Sequence, residues 1–357
     1  MSWLCIRDPR SILPVFPSYG MDDWPELLVK GTLTVEFTQP AMLRRDIAVI
    51  RYEREDRWLR SVKLLLRFDG MLKIIMRQGI SKTNFRIPLG RPKRPTRMRV
   101  SMSWDAPKRI GLLSVEDLET GILQQVDFPN PIPLPKADIF RMLASPGKTG
   151  FGPLVSYAAI SDRIEPVGLA PGFAAGTQIM TAEGMRPIDT IRRGDLVHTA
   201  DLGLQPVRWI TRRKLPGYGM FAPVQIRRGT YGLFRDITLA ADHKVLLTGA
   251  PARRHYGQNA ALVEARYLGD AVPEHRAGPR LPTQTYVNLL FDTHACVFAG
   301  GCWAESLYVG DLKAAPEVLV TTPLAEMPMS ALPRHRTIVR SLPKVGALHI
   351  PEVARTA

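Results

Sequence analysis

The sequence predicts an all-β chain of two folded units, an N-terminal β-sandwich of jelly-roll or lectin-like type followed by a second β domain. Three observations carry this reading. Residues 31–128 alternate apolar and polar side chains in the two-residue period of half-buried strands, with breaks roughly every 8 to 15 residues. Thirty-one prolines and 28 glycines beside only 8% aromatic residues favour many short elements joined by turns. A length of 357 residues exceeds the usual single domain, and 45% hydrophobic residues suffice to bury two cores.

Taken in order, the predicted strands run over 32–37, 48–52, 62–68, 72–77, 85–89, 97–104, 109–115 and 122–126. The pattern is clearest over 97–104. There Met98, Val100, Met102 and Trp104 share a face that packs, while Arg97, Arg99, Ser101 and Ser103 share a face that meets water. The segment 64–75 reads as a hairpin turning at Asp69-Gly70, a dipeptide that tolerates the positive φ of a tight turn. The prolines of 129–135 lack the donors a central strand needs, so the sandwich is expected to span 1–135. Ile139, Phe140 and Leu143 fall on one face at helical spacing, which predicts a short helix over 137–143. Residues 145–169 read as a linker, 170–312 as the second domain, and 313–357 as a tail without sustained periodicity.

The composition also narrows function. A net charge of +15 invites a polyanion, but the basic residues are scattered, without interleaved aromatic residues or a helix-turn-helix pattern, and a nucleic-acid partner is not favoured. Cys5, Cys296 and Cys302 are too few for a disulfide framework. Their spacing, and that of His243, His255, His275 and His294, fits no metal-ligand pattern, so neither metal nor cofactor is expected. No run of about 18 apolar residues and no signal-peptide core stands out, which makes a cytoplasmic location the default, with leaderless export as the alternative.

The chemistry-bearing pattern lies in the second half. Pro171-Gly-Phe-Ala-Ala-Gly-Thr177 is followed by Ile179, Glu183-Gly184, Arg186-Pro-Ile188 and Arg193-Gly-Asp195. Pro206-Val-Arg-Trp-Ile210, Asp242-His-Lys-Val-Leu-Leu247, the block Tyr286 to Phe298 and Ala304-Glu-Ser306 then follow in order. These separated blocks resemble the Hint domain, the self-processing module of hedgehog proteins and inteins, in its bacterial form. Phe173, Gly176, Thr177, Gly194 and Asp195 match its structural positions.

That resemblance implies an attack by a thiol or hydroxyl on the preceding peptide carbonyl, aided by a histidine that protonates the leaving nitrogen and by donors for the oxyanion. Gly172 occupies the nucleophile position and has no side chain to attack with; losing a nucleophile from a concerted site costs on the order of 10^6 in rate. His243 matches the histidine that protonates the amide nitrogen, a task suited to an imidazole. Ala240 stands where a helper threonine is common, leaving Thr238 as a substitute. His294 matches the histidine near the closing strand. Glu305 replaces the asparagine that inteins cyclise, and Ser306 falls at the downstream nucleophile position. The expected function is a Hint-like module with a degenerate autoprocessing site, retained for binding an unidentified protein or surface ligand. Two alternatives stand beside it: residual cleavage at Pro171/Gly172 assisted by His243, and a carbohydrate- or surface-binding role for the sandwich, with Tyr52, Trp58 and Trp104 as its aromatic candidates.

Overall fold

In a computed structural model, residues 3–8, 14–17, 23–144, 150–168, 170–271, 282–310, 322–325 and 327–336 are described. The chain divides into two compact units, residues 1–168 and 169–357. Both are built of antiparallel sheets, so the all-β expectation holds. Among the described residues, no helix is long and apolar enough to cross a membrane.

The first unit contains a six-stranded and a five-stranded sheet. The six-stranded sheet runs in the spatial order Trp3–Arg7, Val155–Ser161, Lys30–Gln39, Thr96–Asp105, Ile110–Asp117, Leu123–Pro129. The other runs Gly150–Phe151, Ile47–Glu55, Leu59–Leu66, Met71–Gln78, Ser81–Pro88. Alternation sends Met98, Val100, Met102 and Trp104 from one sheet, and Val62, Leu64, Leu72 and Ile74 from the other, into a single apolar cluster. The Asp69-Gly70 turn closes its hairpin with Gly70 at φ 84°.

Three expectations need correction. Most of the opposite face of Thr96–Asp105 does not meet water: Arg99, Ser101 and Ser103 are buried, while Arg97 keeps a side chain 41% exposed. Register explains how such a face is tolerated. Tyr157, Glu36, Arg99 and Glu116 stand in one row across four strands, and the Arg99 guanidinium lies 3.5 Å from Glu36 and 3.1 Å from Glu116. Beside that row, Thr34 and Ser101 share a hydroxyl hydrogen bond of 3.1 Å. The sandwich also does not end at residue 135. Leu134–Pro135 pairs with Leu27–Leu28, the helix Lys136–Ala144 buries Ile139, Met142 and Leu143, and Val155–Ser161 returns as an inner strand between Trp3–Arg7 and Lys30–Gln39. The supposed linker therefore carries a core strand. Finally, part of the tail packs: Leu324, Met327 and Leu332 form a buried cluster with Leu290. Residues 337–357 and His275 lie outside the described residues.

Candidate functional site

The second unit positions its site by clamping one short segment between two strands. Phe173–Ala174 pairs with Val287 and Tyr286 of Thr283–Leu290 on one side, and Phe173 pairs with Leu239 of Ile237–Ala240 on the other. Phe173 is fully buried, and burial of its ring anchors the segment. Further hydrogen bonds fix each peptide nearby. Ala240 N donates to Gly172 O at 2.8 Å, Ala170 N donates to Asp242 Oδ2 at 2.7 Å, and Asn288 Nδ2 donates to Pro171 O.

Gly172 is more than a residue without a nucleophile. A Cβ built on it would lie 2.8 Å from Tyr286 Cβ, 3.4 Å from Asn288 Nδ2 and 3.5 Å from Val287 N. The first separation is below any ordinary carbon contact, and its partner is the root of a strand side chain rather than a flexible tip. Close approach of two backbones is the role glycine fills here.

His243 sits against this segment. Its ring meets the Phe173 ring edge-on, with centroids 4.3 Å apart, and the residue is buried. Neither ring nitrogen has a hydrogen-bond partner among the described residues. Burial strips hydration from the charged form and holds the imidazole pKa down at about 4, against an opposing pull from the Glu305 carboxylate. The ring is therefore neutral near pH 7, with one nitrogen able to donate and the other to accept.

A second polar group lies at the closing strands. His294 is fully buried, with Nε2 3.2 Å from Glu305 Oε1, within ion-pair reach though not aligned as a hydrogen bond. Lys244 Nζ lies 3.8 Å from the other oxygen of Glu305. The rings of Tyr308 and His335 flank His294 at 4.9 and 5.9 Å. Ser306 is buried, and its Oγ accepts a hydrogen bond from Ala295 N at 3.2 Å.

Gly176, Thr177, Gly194 and Asp195 lie at or beside turns. Thr177 Oγ1 donates to Ala174 O at 2.7 Å, and Gly176 N donates to Asp189 Oδ1 at 2.6 Å. Gly194 adopts φ 91°, and the Asp195 carboxylate receives Arg192 N and pairs with Arg186 at 3.1 Å. Cys296 and Cys302 are buried on strands, and burial pushes both thiols up, Cys302 to about 12. Neither is a ready thiolate. Thr238 contributes its carbonyl, not its hydroxyl, to Thr177, 3.5 Å away.

Sequence reasoning missed Asn288. Its side-chain amide donates to the Pro171 carbonyl, while its Oδ1 has no hydrogen-bond partner among the described residues. In the other unit, Tyr52 and Trp104 are core residues and only Trp58, 45% exposed, is open to solvent. The sandwich thus lacks the shared aromatic platform that a sugar-stacking site would need from these three.

Residues 171–311 match the model of the Hint domain family. Among solved structures, the chain is similar to the CBM40 module of Ruminococcus gnavus IT-sialidase, at 13% identity over 41% of this chain and 80% of that one, with a TM-score of 0.29. It is also similar to the gp41-1 intein, at 12% identity over 38% of this chain and 98% of that one, TM-score 0.24. Chicken galectin 2 aligns at 10% identity over 52% of this chain and 95% of that one, TM-score 0.21. No curated protein matches the chain.

Proposed function

Residues 171–311 being a Hint domain, we propose that this domain has lost its self-processing chemistry and is kept as a binding or scaffolding module fused to the N-terminal sandwich. The observation that carries the reading is the packing at Gly172. The position that should supply the attacking atom has no side chain, and Tyr286 Cβ occupies the space into which one would grow. Of the hydroxyls the resemblance points to, Thr177 donates to the Ala174 carbonyl and Ser306 accepts from the Ala295 amide. Ala240 offers its backbone N–H to Gly172 but no hydroxyl.

What remains is machinery for holding a peptide still. Asn288 engages the Pro171 carbonyl, His243 lies neutral against Phe173, and two strands clamp residues 173–174. A carbonyl polarised by an amide, beside an imidazole without a nucleophile to deprotonate, supplies positioning without attack. Cleavage by water at Pro171/Gly172 would need a solvent molecule delivered beside a buried, strand-paired segment.

Intact-mass spectrometry of the purified chain, incubated with and without a thiol, tests this directly. The chain is expected to keep its full mass under both conditions. A fragment ending at Pro171 would overturn the proposal. The Gly172→Cys variant measures how much machinery survives, since thiol-dependent release of residues 1–171 from it would mean that the nucleophile alone had been lost.

A further inference from the structure

The first unit carries a charge asymmetry unrelated to the Hint domain. From Gly70 to Trp104 the sequence contains nine lysines and arginines and no aspartate or glutamate. Four of these cations meet on one hairpin. Its strands, Met71–Gln78 and Ser81–Pro88, turn Leu72, Ile74 and Ile87 into the core, so alternation puts Lys73, Arg77, Lys82 and Arg86 on the opposite face. Register then sets like charges directly across from each other, Lys73 opposite Arg86 and Arg77 opposite Lys82, with Ile75 and Asn84 between them. Directly opposed like charges destabilise a strand pair. Among the described residues none of the four forms an ion pair, while Glu53 pairs with Lys63, and Asp56 with Arg54 and Arg60. At one end of the hairpin, Arg91 lies beside the Gly70 turn, extending the basic surface.

The other end is apolar. The hairpin turns at Gly79-Ile80, with Gly79 at φ 61°, and Ile80 is fully exposed, at 102%. Trp58, from the neighbouring strand connection, packs beside Gly79 and is itself 45% exposed. Arg60 lies over the Trp58 ring at 5.9 Å, and Arg77 Nε bonds Gly79 O at 2.9 Å, so the tip is braced by cations.

A bare isoleucine and a half-exposed tryptophan at the tip of a cationic hairpin fit one environment, the interface of an anionic bilayer. There apolar side chains enter the acyl boundary, indole favours the headgroup level, and lysine and arginine meet lipid phosphates. We propose that this hairpin face docks the chain on membranes bearing anionic lipid, with Ile80 and Trp58 inserting and Lys73, Arg77, Lys82 and Arg86 neutralising headgroups. A soluble polyanion such as nucleic acid would use the cations but would gain nothing from Ile80.

Sedimentation of the full chain with vesicles of phosphatidylcholine, alone or mixed with phosphatidylglycerol, tests the proposal. Binding is expected only to the mixed vesicles and is expected to weaken with added salt. Replacing Lys73→Ala and Arg86→Ala together should lower vesicle partitioning roughly 30-fold, at about fivefold for each cation near the surface. It should leave the melting temperature unchanged or raised, because a like-charge pair is removed, and this separates lost binding from lost folding. Ile80→Ser with Trp58→Ser should lower partitioning at least about tenfold. An absence of binding to the mixed vesicles would sink the proposal. So would equal binding to both vesicle types, or binding to a DNA duplex that the tip variant leaves intact while vesicles are ignored.

Discussion

Buried polar groups of the two units can be compared at two places, the Arg99 row of the sandwich and His243 of the second unit. In the sandwich, two buried ionic groups face opposite charges: Arg99 stands between Glu36 and Glu116, and Asp138 takes the Tyr52 hydroxyl at 2.6 Å and the Arg60 guanidinium at 2.6 Å. In the Hint domain, His243 is as deeply buried, yet neither ring nitrogen finds a hydrogen-bond partner among the described residues. A buried polar group without a partner costs about 1–3 kcal/mol, so a fold that needed only stability would place a hydrocarbon there. The difference teaches two uses of a buried polar group. Arg99 bridges neighbouring strands through its carboxylates, whereas His243 brings no pairing that would repay its burial, so packing alone does not account for it.

The largest expected effect tests the paired side. Removing Arg99 leaves two carboxylates buried next to one another, and breaking such a pair typically costs about 3–5 kcal/mol. Arg99→Ala should therefore lower the denaturant midpoint of the sandwich far more than replacing Arg97 by alanine, since the Arg97 side chain, which meets Glu119, is 41% exposed. Equal, small shifts for both would mean that the row does not support the sheet.

The next effect tests the unpaired side through pH. His243 has a pKa of about 4 in the folded chain, against about 6.5 when unfolded. Above the unfolded value both states are neutral and the histidine imposes no penalty. As pH falls, the unfolded chain takes the proton first, so stability is lost progressively between about 6.5 and 4, by on the order of 3 kcal/mol. Burial lowers the His335 pKa as well, adding to the loss in the same direction. Urea unfolding at pH 7 and pH 4.5 should show this loss in the parent and a smaller one in His243→Leu. At pH 7 that variant should be unchanged or up to about 1 kcal/mol more stable, since the buried nitrogens are gone. A variant as acid-sensitive as the parent would remove His243 from the comparison.

Legibility follows the same physics. Eight sandwich strands were readable because each has one wet or polar face and one packed face, which preserves the two-residue period. The strand Val155–Ser161 was not, because Tyr157, Ala158, Ala159 and Ile160 are all buried and the alternation vanishes, so it passed for linker. The polar face of Thr96–Asp105 was read correctly as a face but wrongly as wet, since cross-strand pairing with Glu36 and Glu116 is a tertiary fact. In residues 171–311, the resemblance singles out His243, His294 and Glu305, and the fold buries all three. Asn288 escaped notice: a polar residue within a strand has no distinguishing spacing, and only the fold brings its amide to Pro171.

The smallest predicted effect goes to Gly172 itself, where two explanations of glycine diverge. Gly176 adopts φ 85° with nothing within 4 Å of a built Cβ, so Gly176→Ala should cost about 1–2 kcal/mol through backbone handedness alone. Gly172 has no such φ, and its constraint is the 2.8 Å approach to Tyr286 Cβ, so Gly172→Ala should cost about 1–3 kcal/mol through crowding. The mechanisms separate in a double-mutant cycle with Tyr286→Gly, which removes the opposing carbon. Crowding predicts coupling between positions 172 and 286 and none between 176 and 286. If Gly172→Ala proves neutral, the two strands yield easily and the position tolerates a side chain. If the coupling is present, the backbone has closed over the place where the nucleophile would stand, and restoring a cysteine there must first reopen the contact with Tyr286.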